Sequence, residues 1–147
     1  MTNSAPMRYH QDFPGGKGTL MAVTTHVNPE TSLVTFECSG TLVLAEVERA
    51  FESMFAHPAF RPGIHAMWDL RQASIGLYAQ QIPDILRMIR ARQSDRGTGY
   101  RVAILVSGSP DFGLSTLFEM SAHSMPFEVK VFRSHTQATQ WIAGQTV

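Results

Sequence analysis

Arg61-Pro62-Gly63-Ile64-His65-Ala66-Met67-Trp68-Asp69-Leu70-Arg71-Gln72-Ala73-Ser74-Ile75-Gly76-Leu77 is the stretch whose reading decides the fold. Pro62-Gly63 is turn chemistry, Ile64 to Leu70 is a nearly continuous apolar run, and the residues after it form a polar exit loop. A short apolar run bounded by turns reads as a strand buried on both faces, which belongs inside a sheet covered by helices. Open α/β sheets gather ligands and switch residues just beyond the carboxyl ends of their strands, so Asp69 to Ser74 is the first place to look for chemistry.

Toward the N-terminus, Leu44, Val47, Phe51, Met54 and Phe55 recur at helical spacing up to a His57-Pro58 stop. Glu46, Glu48 and Glu52 give that helix an acidic outside against Arg49 alone. Before it, Thr19 to Val27 and Leu33 to Cys38 alternate like strands on either side of Asn28-Pro29-Glu30-Thr31-Ser32, and they should pair as a hairpin. Val34, Phe36 and Cys38 share one face of the second strand, so Cys38 is expected to be a packed core thiol. Residues 1–18, with their Gly-Gly-Lys-Gly run, read as a flexible segment ahead of one domain over residues 19–147.

Toward the C-terminus, Ala79 to Gln93 carries the longest helical pattern, with Ile82, Ile85, Leu86 and Ile89 inward, Pro83 in the first turn and Gly97 marking the end. Tyr100 to Val106 is a second interior strand. Ser107-Gly108-Ser109-Pro110-Asp111 then opens a helix with Ser109 as N-cap, Pro110 in the first helical position and Asp111 at the positive end of the dipole. Leu114, Leu117, Phe118 and Ser121 form its expected inner face. Met125-Pro126 ends it, Glu128 to Phe132 alternates as an edge strand, and Ser134-x-x-Gln137 is a capping box before Ala138, Trp141 and Ile142. The order is β-β-α-β-α-β-α-β-α, an α/β fold with a mixed sheet of about five strands flanked by about four helices.

With 147 residues the chain suits a single domain that buries about two-thirds of its unfolded surface. Twelve basic and twelve acidic residues balance, so no global field recruits nucleic acid. One cysteine excludes an internal disulfide and fits a reducing compartment. No apolar run approaches the roughly eighteen residues of a membrane span, and the beginning of the chain lacks a signal-peptide core. The expectation is a soluble cytoplasmic protein.

The six histidines stand apart, with no pair at the i, i+4 spacing of a zinc site, so neither a metal nor a cofactor is expected. Phosphate-binding glycine motifs and the Gly-x-Ser-x-Gly elbow are absent. Ser107 and Ser109 form a candidate anion site at a helix start, although capping explains small residues there. Asp69 reads as an anchor for loop amides and for Arg71 or Arg101, because a catalytic carboxylate needs a converging partner that the sequence does not supply. His65 reads as a hydrogen-bonded histidine within its strand. Arg87, Arg90, Arg92 and Arg96 against Asp84 and Asp95 make a basic, solvated helix face that could exchange ion pairs with the acidic first helix. Phe112, Phe118, Met120, Met125 and Phe127 cannot all share one inward helical face, so most are expected in the core and the rest at a candidate ligand groove, a dimer contact or an opening for a lipophilic ligand.

Gly40 before the first helix, Phe60-Arg61-Pro62-Gly63, Trp68-Asp69-Leu70-Arg71, Arg101-Val102-Ala103-Ile104, Phe112-Gly113 and Val131-Phe132-Arg133 before Trp141-Ile142 together resemble the STAS superfamily, and more closely its SpoIIAA-like subgroup. The resemblance implies a STAS-like sheet flanked by helices and a non-catalytic regulatory or protein-interaction role, with no catalytic residue assigned and an unidentified protein partner; a homodimer through an apolar helix face or a sheet edge is expected. The anti-sigma-factor antagonists carry a phosphorylatable serine in an Asp-Ser-Ser-Gly-like loop. Here Asp69-Leu70-Arg71-Gln72-Ala73-Ser74 keeps the strand-end acid and offers Ser74 at a different spacing, so Asp69, Arg71 and Ser74 are the candidate switch loop. SpoIIAA-like proteins are also similar in architecture to lipid-carrying CRAL-TRIO domains, which implies the alternative of lipophilic small-molecule binding or a peripheral membrane-associated carrier.

Overall fold

Two β-branched runs meet at Asn28, whose side-chain Oδ1 accepts hydrogen bonds from the amides of Glu30 (3.0 Å) and Thr31 (3.4 Å). This Asx turn reverses the chain between β1 (Ala22–Asn28) and β2 (Leu33–Leu42), which pair antiparallel as expected. The computed structural model describes residues 22–144. The expected flexible segment, residues 1–18, and the first residues of the expected first strand lie outside them.

From β2 onward the chain alternates strand and helix. α1 (Leu44–Ala56) leads to β3 (His65–Ile75), which lies parallel to β2. A 3-10 turn (Ala79–Gln81), α2 (Ile82–Ala91) and the one-turn α3 (Gln93–Arg96) lead to β4 (Arg101–Leu105), parallel to β3. α4 (Ser109–Ser121) leads to β5 (Glu128–Phe132), parallel to β4, and α5 (His135–Ile142) follows, capped by Ser134 Oγ accepting from the Gln137 amide at 3.2 Å. The strands lie side by side in chain order, β1-β2-β3-β4-β5. Parallel crossovers are right-handed as a rule, so three of them running in one direction are expected to put their helices on the same face. Val47, Ala50 and Met54 of α1 and Ile82, Ile85 and Leu86 of α2 accordingly share one buried cluster with Phe36, Trp68 and Ile104 of the sheet, against which Leu114 and Phe118 of α4 pack. On the opposite face α5 buries Ala138 and Ile142 against Met67, Ala103, Leu105 and Phe132.

The expected α/β architecture stands, and four boundaries move, the first being β2, which runs through Gly40 to Leu42 instead of ending at Cys38. β3 continues to Ile75 instead of ending near Leu70, because β2 runs on beside it and pairs Ser39, Gly40, Thr41 and Leu42 with Gln72, Ala73, Ser74 and Ile75 beyond an irregularity between Glu37 and Ser39. The expected exit loop is therefore mostly strand. The long helical pattern after Ala79 breaks at Arg92 (φ −112°, ψ 21°), so that a separate turn ends at Arg96 before Gly97 turns the chain at φ +85°. In α4, Gly108 takes the cap position without a side-chain bond, and Leu117 and Ser121 are exposed. Ser115 is the buried residue of that helix.

Candidate functional site

Long aromatic side chains from the sheet and the helices meet beneath the three-helix layer. Phe36 stacks on Trp68 at 4.1 Å between ring centroids, and Phe51 of α1 meets Trp68 edge-on at 5.8 Å. Tyr100 stacks on Phe127 at 4.8 Å. These rings are part of the wall of a cavity of about 100 Å³ between the sheet and helices α1, α2 and α4, completed by aliphatic side chains such as Leu70, Ile85, Ile89 and Leu114. Empty apolar space costs roughly 24 cal/mol per Å³, about 2 kcal/mol for this volume.

Arg96, Tyr100 and Ser115 are the polar residues in that wall. Arg96 is 3 % exposed, and its guanidinium carbon sits 3.5 Å from the centroid of the Tyr100 ring. Among the described residues no hydrogen-bond partner reaches its buried Nη1, nor the buried Oγ of Ser115. Burial pushes the Arg96 pKa down to about 10 and that of Tyr100 up to about 12. At neutral pH the wall therefore holds a guanidinium cation and an uncharged phenol. The backbone carbonyl of Arg96 accepts from the Gly63 amide at 2.8 Å, which ties α3 to the turn before β3 and fixes where the side chain starts. A smaller hollow between α1 and α2 shares Phe51, Ile89 and Arg96 with the cavity, and the exposed Glu52 and the half-buried Arg92 bridge it at 3.0 Å.

Asp69, Arg71 and Ser74 lie within β3. Asp69 and Arg71 form a two-pronged pair, Arg71 Nε donating to Oδ1 at 2.9 Å and Nη2 to Oδ2 at 2.8 Å, while the Arg71 amide donates to Oδ1 at 3.2 Å. These bonds hold the Asp69 carboxyl below its usual pKa. Ser74 is exposed in the strand opposite Thr41 and does not join the pair. His65 Nδ1 accepts from the Arg101 amide at 2.9 Å where β3 and β4 begin, and burial followed by the Arg101 and Arg96 charges lowers its pKa.

Ser107 Oγ donates to the Arg71 carbonyl at 3.3 Å, Ser109 is exposed at the start of α4, and the Asp111 carboxylate in the same turn accepts from the Ile75 amide at 3.1 Å. Of the five groove candidates, Phe118 and Phe127 line the cavity. Met125 is buried in the core, Phe112 is partly buried beneath the Arg133 guanidinium at 4.4 Å, and Met120 is 67 % exposed. Within the basic helix face, Arg87 pairs with Asp84 and Arg92 with Asp95 and Glu52, but Arg96 faces inward.

Arg96, expected on a solvated helix face, is instead buried in the wall, and Tyr100 and Ser115, to which the sequence assigned no role, join it there. Their signal was positional. Arg96 stands seven residues after Ile89, a spacing that keeps the period of the inward positions of α2 even though the helix itself breaks at Arg92, and Ser115 stands three residues from both Phe112 and Phe118. Among the described residues no cluster of three or more metal-ligating side chains occurs, and no helix is long and apolar enough to cross a membrane.

Among solved structures, the chain is similar to the crystal structure of an uncharacterized protein of the DUF3478 family from Shewanella loihica PV-4, described as having a SpoIIAA-like fold. The two are 20 % identical, the match covers 83 % of this chain and 93 % of that one, and the TM-score is 0.53. No family model matches the chain, and no curated protein matches it.

Proposed function

Starting from a SpoIIAA-like fold with an apolar cavity beneath its three-helix layer, we propose that the protein is a non-catalytic binding module for a small lipophilic molecule. The cavity is the observation that carries this reading. Ligand sites are concave, mostly apolar and furnished with a few fixed polar groups, and the wall from Phe36 to Phe127 answers that description. No carboxylate, imidazole or thiol stands in the wall, so the Ser115 hydroxyl has no general base beside it, which supports binding rather than turnover. The unpaired Cys38 fits a reducing, cytoplasmic setting.

Native mass spectrometry tests the reading. The protein incubated with small apolar compounds should carry one equivalent and change its Trp68 fluorescence, and Ala66→Leu, which adds volume at the wall, should remove both signals. Failure to load any apolar compound, with Trp68 emission unmoved, would sink it.

A regulatory protein-interaction role is a second reading, supported by the sheet face opposite the three-helix layer. There α5 packs on β4 and β5, while Thr24, His26, Glu37, Ser39 and Arg71 of β1 to β3 are exposed. That face is polar and carries the ion pair of Asp69 and Arg71.

A further inference from the structure

We propose that the ligand of this cavity is a small monocarboxylic acid, its apolar body among the aromatic walls and its carboxylate held by Arg96 and Ser115. The inference rests on the ligand-binding reading and adds a chemical class to it. An unpaired ion taken out of water costs several kcal/mol, and stacking on Tyr100 returns about 2 kcal/mol of that. A guanidinium at the wall of an apolar cavity with an unused donor is therefore a poor arrangement for the protein alone and a good one for a protein with an anion inside.

The wall also fixes the charge of that anion. Arg96 contributes one positive charge, Tyr100 is neutral, and no other ionisable side chain lines the space. A ligand bearing one negative charge neutralises the site, whereas a phosphate dianion would leave a net charge buried. A guanidinium presents parallel donors that match a carboxylate, and a serine hydroxyl adds a neutral one. Size follows from volume. An apolar cavity of ~150 Å³ accepts benzene, so about 100 Å³ suits a body of roughly four carbons.

Titration calorimetry on the full chain, with straight-chain carboxylates from about four to ten carbons and the matched primary alcohols, tests the class, with Trp68 fluorescence as a second readout. The carboxylate is expected to bind at least about tenfold more tightly than the alcohol of equal length, since a hydrogen bond to a charged partner is worth that much. Arg96→Met should reduce the ratio to near unity while the alcohol still binds. Ser115→Ala, a smaller change that keeps the fold if Arg96→Met does not, should weaken the carboxylate several-fold and leave the alcohol unaffected. Alcohols binding as tightly as acids would overturn this inference and leave the ligand-binding reading in place. Binding by neither series would overturn both.

Discussion

Gly97 stands against Gly63 with no room for a side chain: a Cβ on Gly97 would lie 2.5 Å from the Gly63 nitrogen, and Gly97 itself turns the chain at φ +85°. The Gly63 amide at that point donates to the Arg96 carbonyl, so the contact between these two glycines positions a residue of the cavity wall. Gly97→Ala should cost about 2 to 4 kcal/mol in chemical denaturation, from left-handed strain plus a backbone collision that cannot relax. Gly113→Ala is the contrast. It lies inside α4 with nothing within 4 Å of the added carbon, and should stabilise the protein by about 0.5 to 1 kcal/mol.

His65 must be neutral to accept the Arg101 amide. Its folded pKa is depressed below 6.5, so the unfolded chain takes up a proton first as pH falls. Its contribution is fully present above the unfolded value and is lost as pH drops from about 6.5 through the lower folded value. Proton NMR should show the His65 ring titrating below pH 6.5, and His65→Leu should flatten the dependence of unfolding free energy on pH in that window. A His65 ring titrating at or above 6.5 would contradict the hydrogen-bond geometry.

The Asp69 carboxyl is also depressed, chiefly by the hydrogen bond from Arg71, so its stabilisation is complete above the ordinary carboxylate pKa and disappears as pH falls through the folded one. The Arg71 side chain is 41 % exposed, and solvent screening keeps the pair below about 1 kcal/mol. Asp69→Asn should lower stability slightly at pH 7 and not at pH 2, and salt should shrink the difference.

Cys38 is buried, and burial, aided by the Asp69 charge, pushes its thiol pKa up to about 12. Alkylation by iodoacetamide at pH 8 should be slow in the folded protein and rapid in denaturant, with the folded rate following the population of the unfolded state. Fast labelling of native protein would mean that β2 opens locally.

The pattern of apolar residues was enough to read the strand and helix order, since Val34, Phe36 and Cys38 do share the helix-covered face and α5 does follow the Ser134 cap. Where strands end was less legible. Gln72 and Ser74 are polar because α5 lies over β4 and β5 and leaves that part of β3 uncovered, so a paired strand looked like a loop. The candidate site was obscured by a different cause. Arginine and serine default to solvent in a sequence reading, and only their position on an otherwise apolar stripe marks Arg96 and Ser115 as inward. Of the ring-rich run in and after α4, Phe118 and Phe127 line the cavity, whereas Met120 is exposed and Met125 packs in the core.

The strand order has a consequence for how the chain acquires its shape. Because every strand docks beside the one synthesised just before it, the sheet can assemble in the direction of translation, the hairpin serving as a template on which each crossover lays the next strand. β1 never waits for a distant partner, and the last helix seals the opposite face only after β5 is in place. A nascent chain stalled after Leu105 should already protect the β2 and β3 amides from exchange.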